Sequence, residues 1–451
     1  MESAAPVVRL SAVRQAFHTI GVRTLTLVFR FALVVLITRT LSTADYGAYA
    51  IVSTIGAFGV FLSGLNLSTY VYRAVPGRSE SEQLRIFKTT FLFETMLATV
   101  IVVAFLASGQ LFAVLRYLNA EAYASAFTIG LIILVLLVAT AELTSFFQAQ
   151  ARLERSNWVD FIGQAAWILP LLALRAAGVQ MTLGRILGAQ LAGGIGVLAY
   201  GAFHVGVRQW LRSSADWSIL RSGLAFSIPL IIPTLGVNSV RLADRLILSH
   251  YGSVADVGVY SLAAVLVNTL YSFTAGIIAT TFGPRIFAAH NRGDERSRDA
   301  LQTYMIKIAL IGFVLPYLAL CFGARPLVTL LARPDYARAV GVVPILGLTS
   351  IVLIVGYPAN FMLTLQNRVM LLAALDVAGM VVSLAANFLL IPRYSYFGAA
   401  VAGVVGVSTT AALQYVFSNM LARLRPDLIF SFREEWSVLR RAQARLIEML
   451  A

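Results

Sequence analysis

The sequence predicts an all-α polytopic membrane protein of about twelve transmembrane helices, arranged as two six-helix halves. Three observations predict it: the composition, a succession of apolar runs long enough to cross a bilayer, and a short motif that recurs at a fixed offset. Of 451 residues, 59% are hydrophobic and only 12% are charged, and the mean hydropathy is +0.81. A soluble domain covers its surface with roughly a quarter charged residues. A chain this apolar would expose contiguous patches and aggregate in water, so lipid is the solvent that suits it.

The apolar runs fall near residues 17–38, 46–72, 88–108, 124–147, 159–177, 182–204, 221–249, 258–283, 301–323, 339–364, 369–391 and 397–422. Runs of about 18 or more read as membrane spans rather than core helices. Spans 5 and 6 are separated only by Gly178 to Met181. The apolar stretch from Phe17 leads into a full-length span, so no cleavable signal peptide is expected. The lone Cys321 lies in an apolar run and has no partner for an intrachain disulfide. The expected organisation is a cytoplasmic N-terminus (1–16), an N-lobe of spans 1–6 (17–210), a C-lobe of spans 7–12 (211–422) and a cytoplasmic tail (423–451).

The formal net charge of +14 does not point to nucleic acid, because the basic residues lie in short segments between apolar runs. Lysine occurs only at Lys88 and Lys307, so nearly all the positive charge is arginine. With the N-terminus inside, 22 basic residues fall on cytoplasmic segments and 7 on outer ones: Arg39, Arg116, Arg175, Arg325, Arg333, Arg338 and Arg393. That bias places both termini in the cytoplasm and supports an even number of spans. In the tail, Phe432, Trp436, Leu439, Leu446 and Leu450 share one helical face, while Arg433, Arg440, Arg441 and Arg445 crowd the others. The segment reads as an amphipathic helix, either on the anionic inner leaflet or docked on the cytoplasmic loops.

The two halves resemble each other locally. Ser42–Ala50 reads STADYGAYA and Ser253–Ser261 reads SVADVGVYS, with Ser, Ala, Asp, Gly and Tyr matching at an offset of 211 residues. The same offset carries Arg30 onto Arg241. Halves with an even number of spans enter the membrane from the same side and are therefore parallel repeats, as in transporters that hold substrate between rocking halves.

Charges inside the predicted spans are Arg23, Arg30, Glu94, Glu142, Arg185, Arg241, Asp244, Arg245, Lys307 and Asp376. At a helix centre each costs about 2.5–3.5 kcal/mol, so each should face a cavity or a partner. Arg185 and Lys307 are expected to snorkel to the interface instead. Arg23 and Arg30 share a helix face, as do Arg241 and Arg245. Repeat symmetry would set these two helices across one cleft, and guanidinium groups there suit phosphate or pyrophosphate. Alternatively, Asp244 pairs locally with Arg241 or Arg245 and only positions span 7. Glu94, Glu142 and Asp376 are candidates for proton or sodium coupling, or else structural partners of an arginine.

Span 7 carries Pro229, Pro233 and Gly236, which predict a kink that is either a moving gate or static. Gly184 and Gly188 in span 6, and Gly398, Ala402 and Gly406 in span 12, have the spacing of close helix packing. No phosphate-binding GxxxxGK[ST] loop occurs. His18, His204, His250 and His290 lack metal-ligand spacing, so no metal or other cofactor is expected. The longest outer loops, about 108–123 and 324–338, are too short for a catalytic domain, which argues against an enzyme.

Three stretches carry a resemblance to a known family: TRTLSTADYGAYAI from Thr38, SIPLIIPTLGVNSVRLADRLILSHYGSVADVGVYSLA with Pro229, Asp244, Gly258 and Tyr260, and NFLLIPRYSYFGAAVAG from Asn387. In their order and spacing, across essentially the whole chain, the sequence resembles the Wzx-like polysaccharide-biosynthesis flippases. These belong to the multidrug/oligosaccharidyl-lipid/polysaccharide exporter superfamily. Ser395 departs from the pattern, since the family usually has glycine there, which affects a turn. The resemblance implies a V-shaped body and, as substrate, an undecaprenyl-diphosphate-linked oligosaccharide moved between the leaflets of a bacterial inner membrane. It also implies the bilayer, a glycan polymerase and export machinery as partners. Two competing readings are a cation-coupled exporter of drugs or small molecules on the same fold, which the arginines count against, and a non-transporting scaffold or enzyme subunit.

Overall fold

Backbone polar groups in lipid have no water to bond, and a helix satisfies them within one segment. The computed structural model describes the backbone of residues 5–424 and the side chains there, apart from those of residues 5–17, 20, 232–241, 277, 279 and 280. Every regular element among the described residues is helical. The amphipathic tail at 432–450 lies outside the described residues.

Among the described residues, ten helices are long and apolar enough to cross a membrane. Spans 1 to 6 are Gly21–Thr40, Thr43–Gly64, Glu80–Ala107, Glu121–Ala149, Leu153–Ala176 and Leu183–Val205. Spans 8, 9 and 10 are Val254–Asn291, Glu295–Leu331 and Val343–Leu365. The tenth helix, Val369–Ser418, is two spans, because Ser395 breaks it with φ 49° and ψ −130°. Spans 11 and 12 are therefore 369–394 and 396–418. Span 7 is broken into Trp217–Ser227, a 3-10 turn at Ile228–Leu230, and Ile231–Tyr251, and it escapes a simple count because the second segment carries Arg241, Asp244 and Arg245. The total is twelve, in the predicted order.

Several boundaries differ from those expected. Span 2 stops at Gly64, where Leu65 and Asn66 turn through the left-handed region, and a separate short helix Leu67–Ala74 follows. The helices of spans 8 and 9 have 38 and 37 residues, about 57 Å long at 1.5 Å per residue. That exceeds the roughly 30 Å hydrocarbon layer, so both project beyond it. Residues Pro334–Gly341 form a 3-10 segment ahead of span 10.

Each half packs around its own central helices, with span 4 against spans 2, 3 and 6 and span 10 against spans 9, 11 and 12. The small residues of span 12 work as their spacing suggests: Gly406 sits against Ser383, and Thr410 of span 12 sits against Gly379 of span 11. The span 6 pair does not. A Cβ on Gly184 or Gly188 meets nothing within 4 Å, because the buried face of that helix carries Ile186, Leu187, Gly193 and Val197 instead.

The halves meet at the end of the spans farthest from the N-terminus. Span 2 packs on spans 7 and 8 there. The buried Tyr336 hydroxyl donates to the carbonyl of Ser42 at 3.0 Å, and Arg333 N–H donates to Thr38 O at 3.1 Å. Asn119 Nδ2 donates to the carbonyls of Ser249 (3.1 Å) and His250 (2.9 Å). Of the seven arginines predicted on the outer side, Arg39, Arg116, Arg333 and Arg338 cluster at this end, with Arg338 3.4 Å from Asp256.

The recurrent motif is a structural repeat in atomic detail. Ser42 caps span 2, its Oγ accepting from Asp45 N at 3.1 Å and donating to the Asp45 carboxylate at 2.7 Å. Ser253 caps span 8 in the same way on Asp256, at 3.1 and 2.9 Å. The third residue of the first turn thus returns a carboxylate to the cap, which fixes where each helix starts.

Candidate functional site

Span 1 places Arg23 and Arg30 on one exposed face, as their spacing predicted. Neither forms an ion pair within 4 Å among the described residues. Both act electrostatically on Asp160 at the start of span 5, and Arg30 also acts on Tyr49. On the other half, Arg245 is half-buried and its Nε donates to Ser261 Oγ at 3.2 Å. Tyr46 lies within its field. Tyr46 and Tyr49 are one helical turn apart on span 2 and stack, with ring centroids 6.1 Å apart and planes at 17°. An aromatic pair on span 2 therefore links the neighbourhoods of Arg30 and Arg245, one from each lobe. The side chain of Arg241 lies outside the described ones.

Asp244 is buried, accepts from the Tyr260 hydroxyl, and takes the Arg245 backbone N–H at 2.7 Å. Tyr260 and Ser261 both belong to the second copy of the motif. That copy thus holds span 7 through Asp244 and Arg245 together.

The remaining intramembrane charges lie apart from the arginines. Glu94 (2% exposed) and Glu142 (0%) face each other between spans 3 and 4. The Thr90 hydroxyl donates to Glu142. Glu94 also lines a cavity of about 140 Å³ with Gly64, Asn66 and Ile231. Asp376 of span 11 accepts from Gln414 Nε2 of span 12 at 2.9 Å and lines a separate cavity of about 220 Å³ with Tyr357, Asn360 and Thr410. Arg185 is exposed at the start of span 6 and donates to Gln180 O, as a snorkelling side chain would. Lys307 does not snorkel. It is 2% exposed inside the C-lobe, with its ammonium 5.8 Å from the Tyr304 ring centroid.

Pro229 lies in the 3-10 turn that breaks span 7. The segment before the turn, Trp217–Ser227, packs on the N-lobe, where Arg73 sits 4.8 Å from the centroid of the Phe226 ring. The segment after it packs on the helix of spans 11 and 12, and on span 2. Pro233 lies in the second segment, its side chain outside the described ones.

Residues 12–290 match a family model described as polysaccharide biosynthesis protein. The chain belongs to this family. Among solved structures, its fold is similar to that of the lipid II flippase MurJ in an inward closed conformation, at 12% identity over 96% of this chain and 97% of that one, with a TM-score of 0.70. It is also similar to a multidrug resistance MATE family transporter of the MOP superfamily in an inward-facing conformation (14% identity, 88% of this chain, 98% of that one, TM-score 0.68). A third is a MOP superfamily transporter from Pyrococcus furiosus described by the reverse polarity of its binding pocket (14%, 94%, 96%, 0.57). At such identities the likeness is one of fold. No curated protein matches the sequence. The chain is thus a multi-pass membrane protein of the polysaccharide-biosynthesis family, with the fold of the MOP superfamily flippases and transporters.

Within this family member, the glycine expected at position 395 has a visible reason. Ser395 takes a positive φ at the turn between spans 11 and 12, a region that favours glycine. Sequence reasoning missed Asp160, Tyr46 and Tyr49. Asp160 carried a usable signal, a carboxylate just inside the apolar run of span 5. The tyrosines carried none beyond membership of the repeated motif.

Proposed function

We propose that this protein flips undecaprenyl-diphosphate-linked oligosaccharide repeat units across a bacterial inner membrane by alternating access, with both termini cytoplasmic. The observation that carries the reading is the pair Arg23 and Arg30 on one exposed face of span 1, with no ion pair within 4 Å among the described residues and the single carboxylate of Asp160 in the field of both. Two guanidinium groups against one carboxylate leave a net positive charge, which is costly at membrane depth and calls for an anion. A pyrophosphate meets that need with bidentate geometry. In this reading Arg30 and Arg245 grip it from the two lobes beside Tyr46 and Tyr49, with Arg241 and Arg23 completing the cationic lining. The contact between lobes at the outer end belongs to the state that receives substrate from the cytoplasmic leaflet. The broken span 7 serves as the joint, with Pro229 and Pro233 keeping its two segments from merging.

Coupling is assigned to the Glu94–Glu142 pair. Two facing carboxyl groups cannot share a hydrogen bond unless one holds a proton, so a change in their separation would bind or release one. Asp376, bonded to Gln414 in the other lobe, is the second candidate.

The test is replacement of Arg30, Arg241 and Arg245 by Ala, singly and together, in the native host, with surface glycan measured at verified protein level. Lost export with lipid-linked repeat units accumulating on the cytoplasmic side supports the clamp. Normal export from the triple variant overturns it.

A further inference from the structure

A cavity of about 510 Å³ is lined entirely by N-lobe residues, from spans 2, 4, 5 and 6. Four spans build its polar wall: Ser53 from span 2, Thr140 and Thr144 from span 4, Asp160 and Gln164 from span 5, and Gln190 from span 6. Polar side chains at membrane depth are expensive unless they face water, a partner or a ligand. Its volume falls within the roughly 300–1,000 Å³ usual for small-ligand sites.

The chemistry of the wall is selective. Gln164 and Gln190 make no side-chain hydrogen bond among the described residues, so each carboxamide has two donors and one acceptor to offer. The Thr140 hydroxyl spends its proton on Leu136 O at 2.7 Å, which leaves its lone pairs facing the cavity as acceptors. Span 5 winds as a π-helix over Ile162–Ala166, and Gln164 is its central residue. Such local widening re-aims side chains and is frequent at functional sites. Span 4 also lines the cavity with Ile133, Leu136 and Leu137, within about two turns of Thr140. Neutral donors and acceptors interspersed with aliphatic side chains suit a sugar ring, which has hydroxyls at its edge and C–H groups on its faces. A phosphate is unsuited, because Asp160 is the wall's one charged group and it is negative.

The position completes the case. Span 1 packs on span 5 along residues 153–166, the stretch that carries Asp160 and Gln164, and Asp160 lies within the field of Arg23 and Arg30, so the cavity adjoins span 1. We propose that this cavity is the glycan-recognition subsite, holding neutral sugar of the lipid-linked substrate while the arginines hold its pyrophosphate. This rests on the flippase reading above. Gln164 and Gln190 are then the specificity-determining residues.

Binding to the full-length protein in lipid nanodiscs tests it, with two probes: the host's own lipid-linked repeat unit and bare undecaprenyl diphosphate. The expected result is that wild type prefers the sugar-bearing probe. Gln164→Leu/Gln190→Leu should lose at least tenfold on that probe and less than twofold on the bare carrier, whose unchanged binding shows that the variant is folded. Thr144→Val should give a smaller loss with the same selectivity. Equal affinity of wild type for the two probes, or equal losses on both, overturns the subsite. If wild type binds the bare carrier and Arg30→Ala abolishes this, the flippase reading stands whatever the cavity does. If wild type binds neither probe, both readings fall.

Discussion

Gly47 and Gly258, equivalent residues of the two motif copies, pack against each other where the lobes meet. A Cβ on Gly47 would fall inside the carbonyl oxygen of Val254 and lie 3.0 Å from Gly258 N; one on Gly258 would fall inside the carbonyl oxygen of Thr43 and lie 3.1 Å from Gly47 N. The contact is reciprocal, as a pseudo-twofold axis between parallel repeats requires. Both residues are helical, so glycine is required here for closeness of approach rather than for backbone freedom.

Gly47→Ala or Gly258→Ala should therefore force the lobes apart at this end. Overpacking costs about 1–3 kcal/mol, enough to shift a two-state equilibrium by one to two orders of magnitude. In a Cys321→Ser background, Thr43→Cys should become several-fold more reactive towards a membrane-impermeant maleimide when either alanine is present. Unchanged labelling would mean that the contact does not govern access.

Ser395 holds a positive φ with its Oγ buried and unpartnered among the described residues. Relieving such a conformation recovers about 1–3 kcal/mol. Ser395→Gly should raise the Tm in detergent, whereas Ser395→Val should lower it.

Thr90 donates its hydroxyl proton to the fully buried Glu142. Thr90→Val keeps the shape and removes the donor, which leaves a buried acceptor short of a partner at a cost of about 1–3 kcal/mol. A lower Tm than that of Thr90→Ser is expected. Equal melting of the two variants would show that the hydroxyl is dispensable.

Asp294 caps span 9 in the connection outside the membrane, accepting from Ser297 N at 3.0 Å. Hydrogen bonds from the Ser297 side chain and backbone, aided by Arg292 and Arg296, hold its carboxyl below the usual carboxylate range. Because the folded value is the lower one, the cap's contribution is present above the unfolded carboxylate pKa of about 3.9 and fades as the pH falls through the folded value. Amide exchange at Ser297 and Arg298 should be faster in Asp294→Ala than in wild type at pH 7, and the difference should shrink on acidification. A difference that persists below pH 3 would assign the effect to something other than the carboxylate.

The sequence by itself determined the fold class, the twelve spans, their order and the paired motif. The reason is that a bilayer imposes a length and a polarity on every segment, and both are local properties that can be read residue by residue. It also located most of the intramembrane charges, since each is visible as a violation of that rule. Only the tertiary structure decided what each charge meets. Glu94 and Glu142 lie 48 positions apart on different helices, yet they face each other rather than an arginine. Arg245 shares the Tyr46–Tyr49 neighbourhood with Arg30, and Lys307 is buried where a free end was expected. The cavity of Gln164 and Gln190 was invisible in one dimension, because four helices and a π-turn contribute to it, and Asp160 alone of its wall stands out in its segment. Contacts between helices depend on rotation and tilt about each axis, which hydrophobicity fixes only against lipid and packing fixes against protein.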